Sequence, residues 1–179
     1  RGHRRIGYTR GVRRLGIAVL LLVVAWQEVA GAAETAPALT LRLLDGKKTL
    51  DSRSYLGKKL LVVRFQASWC RVCAREGPAF ERSYRKYRRR GAEFVGVQIQ
   101  DDAVDARKFL TAHKASYPAG LDPDRRIADR FGVTQPPYTV VISKEGEIVA
   151  RRAGPMSEKD LGKLLDRLLA PSPKKPATR

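Results

Sequence analysis

The sequence predicts an α/β fold: a central mixed β-sheet flanked by helices, with a strand or hairpin extension on its N-terminal side. Three observations carry this. The nearly continuous apolar runs "LLVVRF" (60–65) and "AEFVGVQI" (92–99) have the length and β-branched content of strands buried on both faces. Segments with a helical apolar period alternate with them. The late pair "YTVVIS" and "EIVARRAG", separated by Lys144-Glu145-Gly146, reads as a hairpin, which makes the sheet mixed.

Residues 1–32 read as an export address, outside the fold. Arg1, Arg4, Arg5, Arg10, Arg13 and Arg14 precede an apolar run from Leu15 to Trp26, and Ala30-Gly31-Ala32 fits the small-residue cleavage rule. Twelve helical residues span only about 18 Å, against a hydrocarbon core of about 30 Å. A cleaved signal peptide is therefore favoured over an uncleaved membrane anchor. The expected location is periplasmic or otherwise extracytoplasmic, with membrane contact only through this segment if it is retained. A linker over 33–38, one folded domain over 39–170 and a disordered basic tail over 171–179 complete the plan.

Within the domain, "ALTLRLL" (38–44) is a strand running to the turn at Asp45-Gly46, and "KKTLDSRSYLGKK" leads into the first core strand. Cys73, Gly77, Phe80, Tyr84 and Tyr87 then fall on one helical face, with Gly77-Pro78 expected to bend the helix. "DAVDARKFLTAH" is a helix capped by Asp101 or Asp102, and "PDRRIADRFG" a shorter one. Ser157 and Asp160 open the last helix as a capping box, followed by a stripe of Leu161, Leu164, Leu165, Leu168 and Leu169.

Lys and Arg outnumber Asp and Glu 36 to 18, a net charge of +18; without residues 1–32 the balance is 30 to 17, still +13. Such a surface suits an acidic partner, an anionic membrane or simple solubility. Nucleic acid is not an expected partner, because no helix-turn-helix, RNA-recognition aromatic pair or zinc pattern accompanies the charge.

The only two cysteines, Cys70 and Cys73, stand three positions apart directly behind Trp69. A ring that small removes little disorder from the unfolded chain, so the pair is chemical rather than structural. In an oxidising compartment it is either kept reduced by a partner or cycles. Cys70 at the start of the helix sees unpaired backbone N–H groups and the positive end of the helix dipole, both of which favour a thiolate nucleophile. Cys73, one turn further in, is placed to resolve a mixed disulfide. Arg71 and Arg75 either add to the positive field or lie on a solvated helix face. Covalent haem attachment needs histidine after the second cysteine, where Ala74 stands. Structural zinc needs four ligands, and the histidines are His3, in the leader, and His113, a core or boundary residue on an apolar helix face. No metal site and no cofactor beyond the Cys70–Cys73 couple are expected. The run "ERSYRKYRRR" (81–90) reads first as a solvated helix face and second as a docking patch for an acidic partner.

The strand that delivers Trp69-Cys70-Arg71-Val72-Cys73 to a helix, with "FGVTQPPYTVVIS" downstream, resembles the thioredoxin fold, and the element order from about Leu39 to Ala170 is most similar to the TlpA/ResA-like thiol-disulfide oxidoreductases. The resemblance implies a protein-disulfide reductase acting on client proteins with cysteines or disulfides, recharged by a membrane-bound thiol donor, and a monomer. It also implies that Glu76, three residues after Cys73, handles a proton near the thiols, although an acid early in a helix also suits the dipole. Pro137 corresponds to a cis-proline facing the cysteines, so Trp69, Pro136, Pro137 and Tyr138 are expected at the substrate-binding surface, with strand packing as the alternative role of Tyr138. Three positions depart from the pattern. Pro136 has no N–H to give an extended client. Arg64 stands where a buried acid or asparagine is usual, needs a partner, and is expected with Arg71 and Val72 to tune the couple. Val72 replaces a common proline. Disulfide oxidation or isomerisation is the alternative direction, and a non-enzymatic Cu(I)-binding or redox-sensing module the alternative class.

Overall fold

The computed structural model describes residues 34–170; the segment expected to be a signal peptide or anchor (1–32) and the expected disordered tail (171–179) fall outside the described residues. Within them lies a five-stranded sheet of order β5-β4-β3-β6-β7, with β3 (Leu60–Gln66), β4 (Ala92–Ile99), β5 (Ala119–Asp122), β6 (Tyr138–Ile142) and β7 (Ile148–Ala153). The β3–β4 and β4–β5 pairs are parallel, and β3–β6 and β6–β7 are antiparallel, which gives the mixed sheet the sequence predicts. A separate two-stranded hairpin, β1 (Thr40–Arg42) and β2 (Thr49–Asp51), precedes it.

All seven residues of β3 are buried because it is the central strand and both its faces are covered. Leu61, Val63 and Phe65 pack with Leu39, Leu41 and Leu50 of the hairpin region and with Ile127 and Phe131 around α3 (Arg126–Arg130). Leu60 and Val62 pack on the opposite face with Phe80, Tyr84 and Tyr87 of α1 (Arg71–Tyr87) and Leu161 and Leu165 of α4 (Glu158–Leu169). The period of two along β3 thus separates two cores. The helix α2 (Ala103–Ala112) lies on the α1 side, where Leu110 joins that core.

The caps explain the helix boundaries. Asp102, not Asp101, caps α2, accepting the N–H groups of Val104 and Asp105 at 2.8 and 2.9 Å. In α4, Ser157 Oγ accepts the Asp160 N–H and donates to the Asp160 carboxylate, so the box closes through side chains rather than through the Ser157 backbone. The short α3 has no cap of its own; the buried Asp122 carboxylate receives the Ile127 and Ala128 N–H groups. The helix α1 runs on through Pro78.

Two features were not expected. The strand β5 comes from "AGLD", a stretch without apolar alternation, and the hairpin straps it: Leu44 N–H donates to the Ala119 carbonyl at 2.8 Å, and Leu43 bridges Gly120. Residues 34–38, expected as linker, are tied to the β6–β7 turn by Thr35 pairing with Glu147 and by the Ala36 N–H donating to the Gly146 carbonyl. The strap requires glycine at position 120, where a Cβ would lie 2.3 Å from the Arg42 carbonyl oxygen. Gly120→Ala is expected to destabilise the domain by about 1–3 kcal/mol in urea unfolding, because backbone must move to accept it; an unchanged midpoint would contradict this packing.

Candidate functional site: a dithiol at a helix N-terminus

The last residues of β3 deliver Cys70 to the end of α1. Cys70 is the helix N-cap, and its Sγ accepts the Cys73 N–H at 3.1 Å. A thiolate there takes up one of the donors that every helix start leaves unpaired. The Cys70–Cys73 disulfide is closed, with Cα atoms 5.2 Å apart. Burial is asymmetric: Cys70 is 6 % exposed and Cys73 1 %. Ala67 and Phe109 seal the inner side of the pair. Both sulfurs are buried in this closed state, Cys73 the more completely.

The loop before Cys70 is pinned to the β4–α2 connection. Asp101 accepts both the N–H and the Oγ–H of Ser68 at 2.7 Å. Trp69 is 56 % exposed, yet its indole N–H donates to the Gln100 carbonyl at 3.0 Å. Just before β6, whose Tyr138 pairs with Phe65 near the end of β3, the Pro136–Pro137 peptide is cis, and the Pro137 carbonyl accepts the Gly154 N–H at 2.9 Å.

Arg64 finds its partner. It is 1 % exposed, and its Nη2 lies 2.5 Å from Glu76 Oε2, with the guanidinium carbon 5.0 Å from the Phe80 ring centre. Glu76 Oε1 accepts the Met156 N–H at 2.8 Å. One carboxylate thus joins β3, α1 and the β7–α4 connection. Neither oxygen is hydrogen-bonded to a cysteine sulfur in this oxidised state, so the expected proton handling by Glu76 gains no direct contact here. The charge of Arg64 is largely offset by Glu76, which reduces its expected pull on the thiolates.

The remaining tuning candidates separate. Arg71 and Arg75 are exposed, where solvent and salt screen their charge. Val72 is half-buried and packs against the cysteine cluster. Tyr138 pairs in register with Phe65 and packs into the hairpin-side core, on the face of the sheet away from α1. That alternation gives it a strand-packing role in place of the expected groove contact beside Trp69.

A buried polar layer that sequence reasoning missed lies on the α1 face of the sheet. Gln66 hydrogen-bonds the Tyr117 hydroxyl at 3.2 Å, and Gln98 stands beside Gln66 in register. Glu81 is 4 % exposed and accepts from Ser116 and Arg85. Burial, partly opposed by Gln66, pushes the Tyr117 hydroxyl up to about 12. Its folded pKa therefore exceeds the unfolded value of about 10, so the stability it contributes is complete below pH ~10 and is lost as pH rises towards 12. Tyr117→Phe is expected to weaken the fall in stability between pH 10 and 12, measured by urea unfolding at stepped pH. Among the described residues, no cluster of three or more His, Cys, Asp and Glu is arranged to hold a metal ion.

The Cys70–Cys73 disulfide at a helix N-cap, with a cis-proline just before β6 beside the end of β3 that leads to Cys70, coincides with a family match. The AhpC/TSA family model matches residues 32–151. The chain belongs to the AhpC/TSA family. Among curated relatives, this AhpC/TSA chain is 28% identical over 144 residues to the thiol-disulfide oxidoreductase ResA of Bacillus subtilis, covering 80% of this chain and 79% of that one. It is 32% identical over 140 residues to the thiol:disulfide interchange protein HelX of Rhodobacter capsulatus, covering 78% and 77%. Its fold matches the MTB dsbF structure in mixed oxidised and reduced forms with a TM-score of 0.68 at 27% identity, covering 75% and 99%. A thioredoxin-family thiol:disulfide interchange protein from Chlorobium tepidum superposes with a TM-score of 0.70 at 24% identity, over 77% and 97%. The fold is thioredoxin-like, and the protein is a thiol-disulfide oxidoreductase that carries a Cys70–Cys73 disulfide.

Proposed function

We propose that this oxidoreductase works as an exported reductant of protein disulfides. The observation that carries the reading is the asymmetry of the pair: an N-cap sulfur that accepts a backbone N–H, beside a resolving cysteine that is 1 % exposed. In the reduced protein the Cys70 thiolate attacks a client disulfide, forms a mixed disulfide and releases one client thiolate, which takes a proton. Cys73 then loses its proton and attacks Cys70 Sγ, closing the Cys70–Cys73 disulfide and releasing the second client sulfur. Two electrons pass to the client, which ends with two thiols. A membrane-bound thiol donor reverses the closure by the same exchange.

Export is supported by the arginine-rich, apolar and small-residue succession over 1–32. Among the described residues, no helix is long and apolar enough to cross a membrane. The protein is expected to work as a monomer. The test is reduction of a peptide disulfide by catalytic amounts of protein with excess dithiol. Many turnovers per protein support the reading; stoichiometric Cu(I) retention without turnover would replace it with a thiol-based binding module.

A further inference from the structure

The surface beside the cysteines is concave on one side. An open groove of 490 Å³ lies between α1 and α2, lined by Trp69, Ala74, Phe109, Ala112 and His113 and reaching Ser68. Its position is tied to the chemistry, because Ser68 and Trp69 directly precede Cys70 and Ala74 directly follows Cys73. A client held in a mixed disulfide has its sulfur about 2 Å from Cys70 Sγ. Successive residues of an extended chain are about 3.3 Å apart, so side chains one to three positions from the client cysteine reach the groove.

The lining is set before anything binds. Gly77 allows the close approach of the two helices: a Cβ there would sit 2.7 Å from His113 ring carbons. The His113 Nδ1–H donates to the Phe109 carbonyl at 2.6 Å, and the two rings lie 4.5 Å apart. Trp69 is held through Gln100 and Ser68 through Asp101. A preorganised surface avoids most of the cost of ordering side chains on association.

The chemistry of the lining selects the occupant. Two alanines leave room, and Trp69 and His113 offer aromatic surface over the buried Phe109. The charged pair at the groove, Asp105 with Lys108 at 3.2 Å, is self-compensating and favours neither sign of charge. We propose that this groove is a specificity subsite that takes a large apolar or aromatic side chain of the client polypeptide near its reactive cysteine. The proposal rests on the reductase reading and adds to it what the client must carry.

The experiment compares two peptide disulfides that differ only in Phe or Gly two residues from the cysteine, each reduced by wild type and by Ala112→Phe and Ala112→Leu, which fill the groove. The readout is the ratio of kcat/KM for the two peptides within each protein, so the folded fraction cancels. Wild type is expected to prefer the Phe peptide roughly tenfold or more, and both variants to bring the ratio towards one. A wild-type ratio near one, or a ratio that neither variant changes, overturns the subsite while the exchange itself stands. Failure of every protein to reduce either peptide overturns the reductase reading and the subsite together.

Discussion

Cys73→Ser is expected to accumulate a mixed disulfide between Cys70 and its client, and Cys70→Ser to form no covalent adduct at all. The difference follows from the burial of the two sulfurs. Cys70 caps α1 and keeps 6 % of its surface exposed, whereas Cys73, one turn further in, keeps 1 %, and both pack with Ala67 and Phe109. Without Cys73 the first exchange still occurs, but no internal thiolate releases the client. Turnover in both variants is expected to fall by on the order of 10⁴-fold or more, the scale on which loss of a nucleophile acts in other enzymes. The trapped adduct is read by non-reducing electrophoresis and mass. An adduct in Cys70→Ser and none in Cys73→Ser would reverse the assigned roles.

The largest expected effect on stability comes from the pair beneath the site. Glu76→Ala leaves the Arg64 guanidinium, whose side chain is 2% exposed, without its counter-charge, and also frees the Met156 N–H. Removing one partner of a buried ion pair typically costs about 3–5 kcal/mol. Replacing both partners by apolar residues of similar volume avoids most of that penalty. Arg64→Met combined with Glu76→Leu should therefore be more stable than Glu76→Ala alone. Urea unfolding of the single and double variants decides it; a Glu76→Ala cost below about 1 kcal/mol would show that Arg64 does not depend on this carboxylate.

Much of this arrangement was legible in the sequence. The strand 92–99 is delimited by Gly91 at φ 104° and by the end of an apolar run, so its bounds agree with the reading. The helix stripe from Cys73 to Tyr87 follows from its period, and all five of its residues are buried. β5 was hidden because its pairing comes from β4 and the hairpin strap, neither of which imposes an apolar pattern on four residues. Arg64 announced its need for a partner, but the answer lies 12 residues on, through the fold. A signal for it existed: Glu76 stands three residues after Cys73 and four before Phe80, spacings that put it next to the buried stripe of α1. For Tyr138, next to Pro137, the sequence allowed either a groove contact or strand packing, and the alternation of β6 sends it to the hairpin-side core.

The most direct measurement is the reduction potential of the Cys70–Cys73 couple, equilibrated against glutathione with Cys73→Ser as control. Thioredoxin-like and strongly oxidising couples differ by about 150 mV, close to 7 kcal/mol for two electrons. A reductant of client disulfides requires a value of about −250 mV or lower. A value near about −120 mV would make the protein a disulfide donor and contradict the reductase account.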